Sequence, residues 1–166
     1  MSLQSSAYPW VAEAARHIGL REIPGKRHNP TIVRWLTAAK AWWFDDETPW
    51  CGTFMWHCMK VVGLRTPKAW YRAKAWLDWG QALDDPAYGC VVVFERKGGG
   101  HVGIVVGQDT KGRLMVLGGN QGDAVSIAPF DRSRVAGYRF PDGYWANPKL
   151  SLPVMAAAGA SSTNEA

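Results

Sequence analysis

Gly89-Cys90-Val91-Val92-Val93-Phe94 and Gly100-His101-Val102-Gly103-Ile104-Val105-Val106 decide the fold of this 166-residue chain. Each is a short run rich in β-branched residues and opened by glycine, the composition of a buried strand. Leu114 to Leu117 forms a third run, and Val125 to Ile127 and Gly137 to Phe140 two more. Upstream of Gly89 the pattern is helical instead. Val11, Ala14, Ala15 and Ile18 keep helical spacing from Trp10 until Gly19, and Asn29-Pro30 reads as an N-cap with proline at the first helical position, opening a helix through Ile32, Val33, Leu36 and Ala39. Thr48-Pro49 repeats that signal and predicts a helix to Val62 in which Cys51 is the third residue, and another helix is expected over Trp70 to Trp79. Helices first and a meander of strands second predict an α+β domain, N-terminal helices packed against a C-terminal antiparallel β-sheet.

One domain over residues 1–147 is expected, with an Ala/Ser-rich tail over 148–166 read as disordered. A chain of this size needs no disulfide or structural metal to bury a core. Its three cysteines show no C-x-x-C spacing, and Cys51 and Cys58 on one helix would sit about 10 Å apart along the axis, too far to pair. The N-terminus has no basic-then-apolar leader pattern, so cytoplasmic synthesis is expected, and no run is long enough for a membrane span. The net charge of +5 is scattered rather than gathered into a stripe, which argues against a nucleic-acid partner. Most of the ten tryptophans are expected in the core, though their flat faces also suit stacking on sugars or peptides.

The chemistry centres on Cys51. A thiol in the first turn of a helix faces unpaired N–H groups and the positive end of the helix dipole, both of which favour the thiolate. Cys58 on an apolar helical stripe and Cys90 in a buried strand read as core. A thiol attacking an amide needs a base, and of the four histidines His101 stands apart, since it follows Lys97-Gly98-Gly99-Gly100 at the mouth of a strand while His17 and His57 lie in amphipathic helices and His28 in a loop. Pairing Gln108 with Arg113 across the turn and counting outward sets His101 opposite Asn120, with Gly119 or Gln121 substituted by a slip of one. Asn120 or Gln121 would orient the imidazole through an amide oxygen. The backbone N–H of Cys51 is the first candidate oxyanion donor, Trp50 and Gln121 are expected at substrate-binding positions, and the segments 21–26 and 45–47 are expected to border the cleft. The alternative ligand set for a zinc enzyme is His57, Cys58 and His101.

Trp50-Cys51-Gly52-Thr53-Phe54, Gly100-His101-Val102-Gly103-Ile104-Val105 and Leu117-Gly118-Gly119-Asn120-Gln121, in this order, resemble the papain-like peptidoglycan hydrolases of the NlpC and CHAP (cysteine, histidine-dependent amidohydrolase/peptidase) group, notably a subgroup common in phages. The resemblance implies a papain-like fold and cleavage of an amide bond in cell-wall peptides, as an endopeptidase or an N-acetylmuramoyl-L-alanine amidase. By position it implies Cys51 as nucleophile, His101 as base and Asn120 as third residue, with no metal or other cofactor in the thiol chemistry. The expected partner is bacterial peptidoglycan, met by a monomer released or delivered to the wall as a phage endolysin or antibacterial effector. The competing expectations are a non-catalytic wall-binding module on the same scaffold and a thiol acyltransferase.

Overall fold

The computed structural model describes residues 8–147 and 150–156. Three helices lead: α1 (Pro9–Ala15), α2 (Pro30–Ala38) and α3 (Cys51–Val61). Asn29 caps α2 as its spacing predicts, its side chain accepting from the Thr31 N–H at 2.9 Å. The α3 helix begins two residues later than Thr48-Pro49 predicts. Thr48 is instead drawn into a turn by Asp45, whose Oδ1 accepts from its N–H at 2.6 Å, and Trp50 becomes the N-cap, so Cys51 is the first helical residue rather than the third. The helix expected over Trp70 to Trp79 is a 3-10 segment, Ala73–Asp78, preceded by a turn in which the Trp70 carbonyl accepts from the Trp76 indole at 3.0 Å.

Six antiparallel strands follow: β1 (Gln81–Leu83), β2 (Val91–Arg96), β3 (Gly99–Gln108), β4 (Leu114–Gly118), β5 (Ser126–Phe130) and β6 (Val135–Phe140). Their order is β1-β6-β2-β3-β4-β5. The expected meander therefore holds for β2 to β5, after which the chain returns to place β6 beside β2. The three-residue β1, too short to show a period, pairs with β6 at the edge. The fold is α+β, helices followed by a six-stranded antiparallel sheet. Strands β3 and β4 are buried along nearly their whole length, which is why they read as continuous apolar runs rather than alternating ones.

The sheet is strongly curled. Neighbouring strands lie about 4.8 Å apart, so strands three places apart in a flat sheet would be about 14 Å apart. Phe94 on β2 and Phe130 on β5 nevertheless stack with ring centroids 4.6 Å apart. The α3 helix sits closely on the segment before the 3-10 turn, because a Cβ on Gly52 would stand 2.3 Å from the Trp70 carbonyl oxygen. Six tryptophans (Trp10, Trp35, Trp50, Trp70, Trp76, Trp79) are buried, and Trp43 and Trp56 pack partly buried against them.

The segment from 148, read from composition as disordered, is in part tied down. Val154 forms a bridge with Gln108, the Gln108 N–H donates to the Pro153 carbonyl at 3.0 Å, and Met155 is buried. Gly107 permits this, since a Cβ there would lie 2.6 Å from the Met155 sulfur. Residues 148, 149 and 157–166 of that expected tail lie outside the described residues.

Because Gly52 seats the helix that begins at Cys51, Gly52→Ala is expected to cost about 1–3 kcal/mol, as overpacking does in close-packed cores. Thermal denaturation checks this: a lowered Tm is expected, whereas an unchanged Tm would contradict the close seating of α3.

Candidate active site

Cys51 opens α3 where backbone N–H groups have no helical acceptor. Its residue is 6% exposed and lines a cleft of about 330 Å³ together with Pro49, Tyr71, Arg72, Ala73, Lys74, Arg96 and Gly98 to Gly100. Burial pushes the Cys51 thiol pKa up. The N–H groups of Val102 and Gly52, the Arg96 charge and the thiol's own backbone N–H oppose that without reversing it. The N–H of Val102 follows His101 directly in sequence, so the sulfur abuts the strand that carries the imidazole.

His101 is placed differently from its predicted position at a strand mouth. The expected Lys97–Gly100 loop is a tight hairpin, Arg96 pairing with Gly99, so His101 is the third residue of β3 and opposite Phe94. It is fully buried, with its ring 5.3 Å from that of Phe130 and within 8° of parallel. A buried imidazole needs a hydrogen-bonding partner, and Nε2 has one in Gln121 Oε1 at 2.9 Å.

Gln121 decides which form the imidazole takes. Its Nε2 donates to the Val116 carbonyl at 3.1 Å and the Ser126 carbonyl at 2.9 Å. Both are acceptors only, so the amide nitrogen must face them and the amide oxygen must face His101. An oxygen can only accept. His101 Nε2 therefore carries the hydrogen, and Nδ1 is the basic nitrogen that can take a proton.

Counting from the turn reaches this neighbourhood by way of two offsets. Gln108 pairs with Leu114 rather than Arg113, and a bulge between Val105 and Gly107 shifts the register back, so that Ile104 pairs with Leu117 as counted. Beyond Gly118 the ladder ends. Asn120 adopts φ +59° and is fully buried, and the chain turns so that Gln121 presents its amide to the ring. Gly118 and Gly119 are needed for the approach: a Cβ on the first would lie 2.4 Å from Gln121 Oε1, and on the second 2.8 Å from the Trp50 ring.

Trp50, expected to meet substrate, is fully buried and donates through its indole to Glu22 Oε1 at 2.6 Å. It anchors the start of α3 from within the core. Burial raises the Glu22 pKa against the indole hydrogen bond, and the charges of Asp123, Asp46 and Glu47 add to the rise. Glu22 lies in the loop expected to border the cleft, but its pairing with Trp50 has no signal in the sequence spacing. The same loop pairs with the turn that carries Gln121: Arg21 bridges Ala124, and the Glu22 N–H donates to the Asp123 carbonyl at 2.9 Å.

Asp46 braces this loop from the other side, accepting from the Ile23 N–H at 2.9 Å and the Asn29 N–H at 2.7 Å, with His28 Nδ1 at 3.1 Å from its second oxygen. Burial alone would raise the Asp46 pKa, but these two amides and His28 outweigh it and hold it low. Of the alternative zinc ligands, His101 is engaged by Gln121, and His57 groups with Glu13 and His17 rather than with Cys58 and His101.

Residues 42–120 match the CHAP domain. This segment runs from the exposed Trp42 through α3 to Asn120 and holds both Cys51 and His101. Over that segment the chain is similar to the CHAP domain, a papain-like family of cysteine, histidine-dependent amidohydrolases and peptidases that act on peptidoglycan. No curated protein matches the chain. Among the described residues, no helix is long and apolar enough to cross a membrane.

The three thiols differ in ways that alkylation reads directly. Cys58 and Cys90 are fully buried, and burial raises both, Cys90 to about 12 and Cys58 well above its ordinary value. Iodoacetamide is expected to label Cys51 alone in the folded protein, at a rate that climbs as pH rises toward its raised pKa because the thiolate is the attacking form. Mass mapping of labelled peptides checks this, and equal labelling of Cys58 or Cys90 would contradict it.

Proposed function

We propose that this chain is a bacteriolytic enzyme, a phage endolysin or an antibacterial effector, made in the cytoplasm and carried to the wall by holin-type release or a secretion system. In this reading Cys51 is the nucleophile, His101 its base, and the Asn120-Gln121 turn the element that orients the imidazole, with Gln121 making the contact. The observation that carries it is the Gln121 amide, whose two carbonyl acceptors leave His101 with its hydrogen on Nε2 and its lone pair on Nδ1.

The raised Cys51 pKa means that the resting sulfur carries its proton. As Sγ attacks the carbonyl carbon of the substrate amide, His101 Nδ1 takes that proton, and the negative charge on the carbonyl oxygen faces the Cys51 N–H at the start of α3. The imidazolium then protonates the leaving amine, and the C–N bond breaks to leave a thioester. Water, deprotonated by Nδ1, attacks the thioester, and the thiol regains its proton as it departs.

The cleft's character supports a cell-wall peptide as substrate. Arg72 and Arg96 place positive charge around Cys51, beside Lys74 in its ion pair with Glu95 at 2.9 Å, a rim suited to carboxylate-bearing peptides. Pro49 and Tyr71 are shared with an adjoining recess that also includes Trp42 and Trp43. Trp42 is 71% exposed, a flat apolar face of the kind that stacks on sugar rings.

Incubation with purified peptidoglycan tests the reading. New amino termini are expected with the native chain and none with Cys51→Ala, whose fold and wall binding are retained; undiminished hydrolysis by that variant would end the thiol mechanism. A terminal alanine freed from muramic acid marks an amidase, any other terminus an endopeptidase, and new reducing sugars would contradict both. Gln121→Leu is expected to lower kcat by about 10²-fold or more, the lower end of what a positioned acid–base group contributes.

A further inference from the structure

Away from the cleft, Glu13 on α1, His17 just beyond α1 and His57 on α3 converge. Glu13 Oε2 lies 3.7 Å from His17 Nε2 and 3.8 Å from His57 Nε2, and the three atoms all fall within 4.8 Å of one another. These separations are too long for hydrogen bonds. Both imidazole Nε2 atoms are buried, and among the described residues neither has a hydrogen-bond partner. Two buried ring nitrogens aimed at one carboxylate oxygen without bonding to it are costly unless something between them satisfies both.

We propose that Glu13, His17 and His57 form a zinc site that clamps α1 to α3. Zinc takes imidazole nitrogen at about 2.0–2.1 Å and carboxylate oxygen at about 2.0–2.2 Å, which in a tetrahedron puts neighbouring donors about 3.4 Å apart. The two carboxylate–imidazole separations close to that with shifts of a few tenths of an ångström per side chain, and the two imidazole nitrogens, within 4.8 Å of each other, draw together around the ion. Two nitrogens and one oxygen are a donor set that suits zinc rather than magnesium or calcium, which prefer oxygen alone.

The surroundings are those of a built site. Arg16 Nη1 donates to both carboxylate oxygens, at 2.9 Å to Glu13 Oε1 and at a longer 3.3 Å to Oε2, so the stronger bond falls on Oε1 and Oε2 is the oxygen more available to the histidines. Trp35 on α2 stacks on His57 with centroids 4.7 Å apart and meets His17 edge-on at 5.1 Å, fixing both rings. The His17 and His57 side chains are 19% and 18% exposed, and Glu13, on which they converge, lines a surface recess of about 300 Å³ with Arg16, the side from which an ion and a completing water would enter. His57 lies six residues after Cys51, about 9 Å along the same helix. The site is thus separate from the sulfur, and the proposal does not depend on the hydrolase reading.

The test uses the full chain carrying Cys51→Ala, which removes the cleft thiol as a competing ligand. After dialysis against chelator and then zinc chloride, one zinc per chain is expected by elemental analysis, with a Tm that rises with zinc concentration. Adding His57→Asn or His17→Gln is expected to weaken binding more than about 100-fold, since even outer-shell changes cost 10- to 100-fold. Cobalt(II) gives a readout that needs no second variant: visible d–d bands of a four-coordinate site, with no sulfur charge-transfer band. No bound metal at micromolar zinc, binding that survives both histidine variants, or a thiolate band would each overturn the proposal, the first leaving a bridging water only.

Discussion

The amide of Gln121 is the interaction on which the rest of the site depends. An amide side chain has one acceptor end and one donor end, and the Val116 and Ser126 carbonyls claim the donor end. What remains for His101 is an oxygen, and a histidine facing an oxygen must donate. A neutral imidazole has one N–H, so the choice made at Nε2 is also made at Nδ1. In the resting site the ring is fully buried and stacked on Phe130, which holds its Nε2 edge against Gln121.

Holding that amide in place requires both halves of the fold. The curl that brings Phe94 onto Phe130 draws β5 inward, and with it the Ser126 carbonyl. The two glycines after Leu117 let the turn reach the ring on one side and α3 on the other, where Trp50 and Phe54 fill the space that a Gly119 Cβ would need. Trp50 is itself held by Glu22, in a loop that pairs with the same turn. Helix start, loop and turn are one packed unit, so the position of Cys51 relative to the histidine strand is set by core packing rather than by a loop able to wander.

Much of this was legible before the structure because local chemistry wrote it. The Asn29-Pro30 cap, the buried strands and the cysteine at a helix start follow from backbone requirements of a few residues. Features that depend on distant partners were not legible. Thr48 looks like a cap until Asp45 takes its N–H; the tail looks disordered until the bare backbone of Gly107 admits it; β1 is too short to show a period. Register counting led to Asn120 because an offset at the turn and a bulge at Val105 cancel, but a count cannot register that the chain leaves the ladder at Gly118 with φ +59° two residues later. Likewise, the composition marks Trp50 as an aromatic beside a nucleophile, and only packing shows it facing inward.

The most direct measurement of the central claim is the protonation of His101 itself, read from long-range proton–nitrogen correlation spectra of uniformly labelled protein above the imidazole pKa. The account predicts a pyrrole-type Nε2 that bears the hydrogen and a pyridine-type Nδ1 that does not. A hydrogen found on Nδ1 would mean that Gln121 does not set the ring, and would contradict the account at its base.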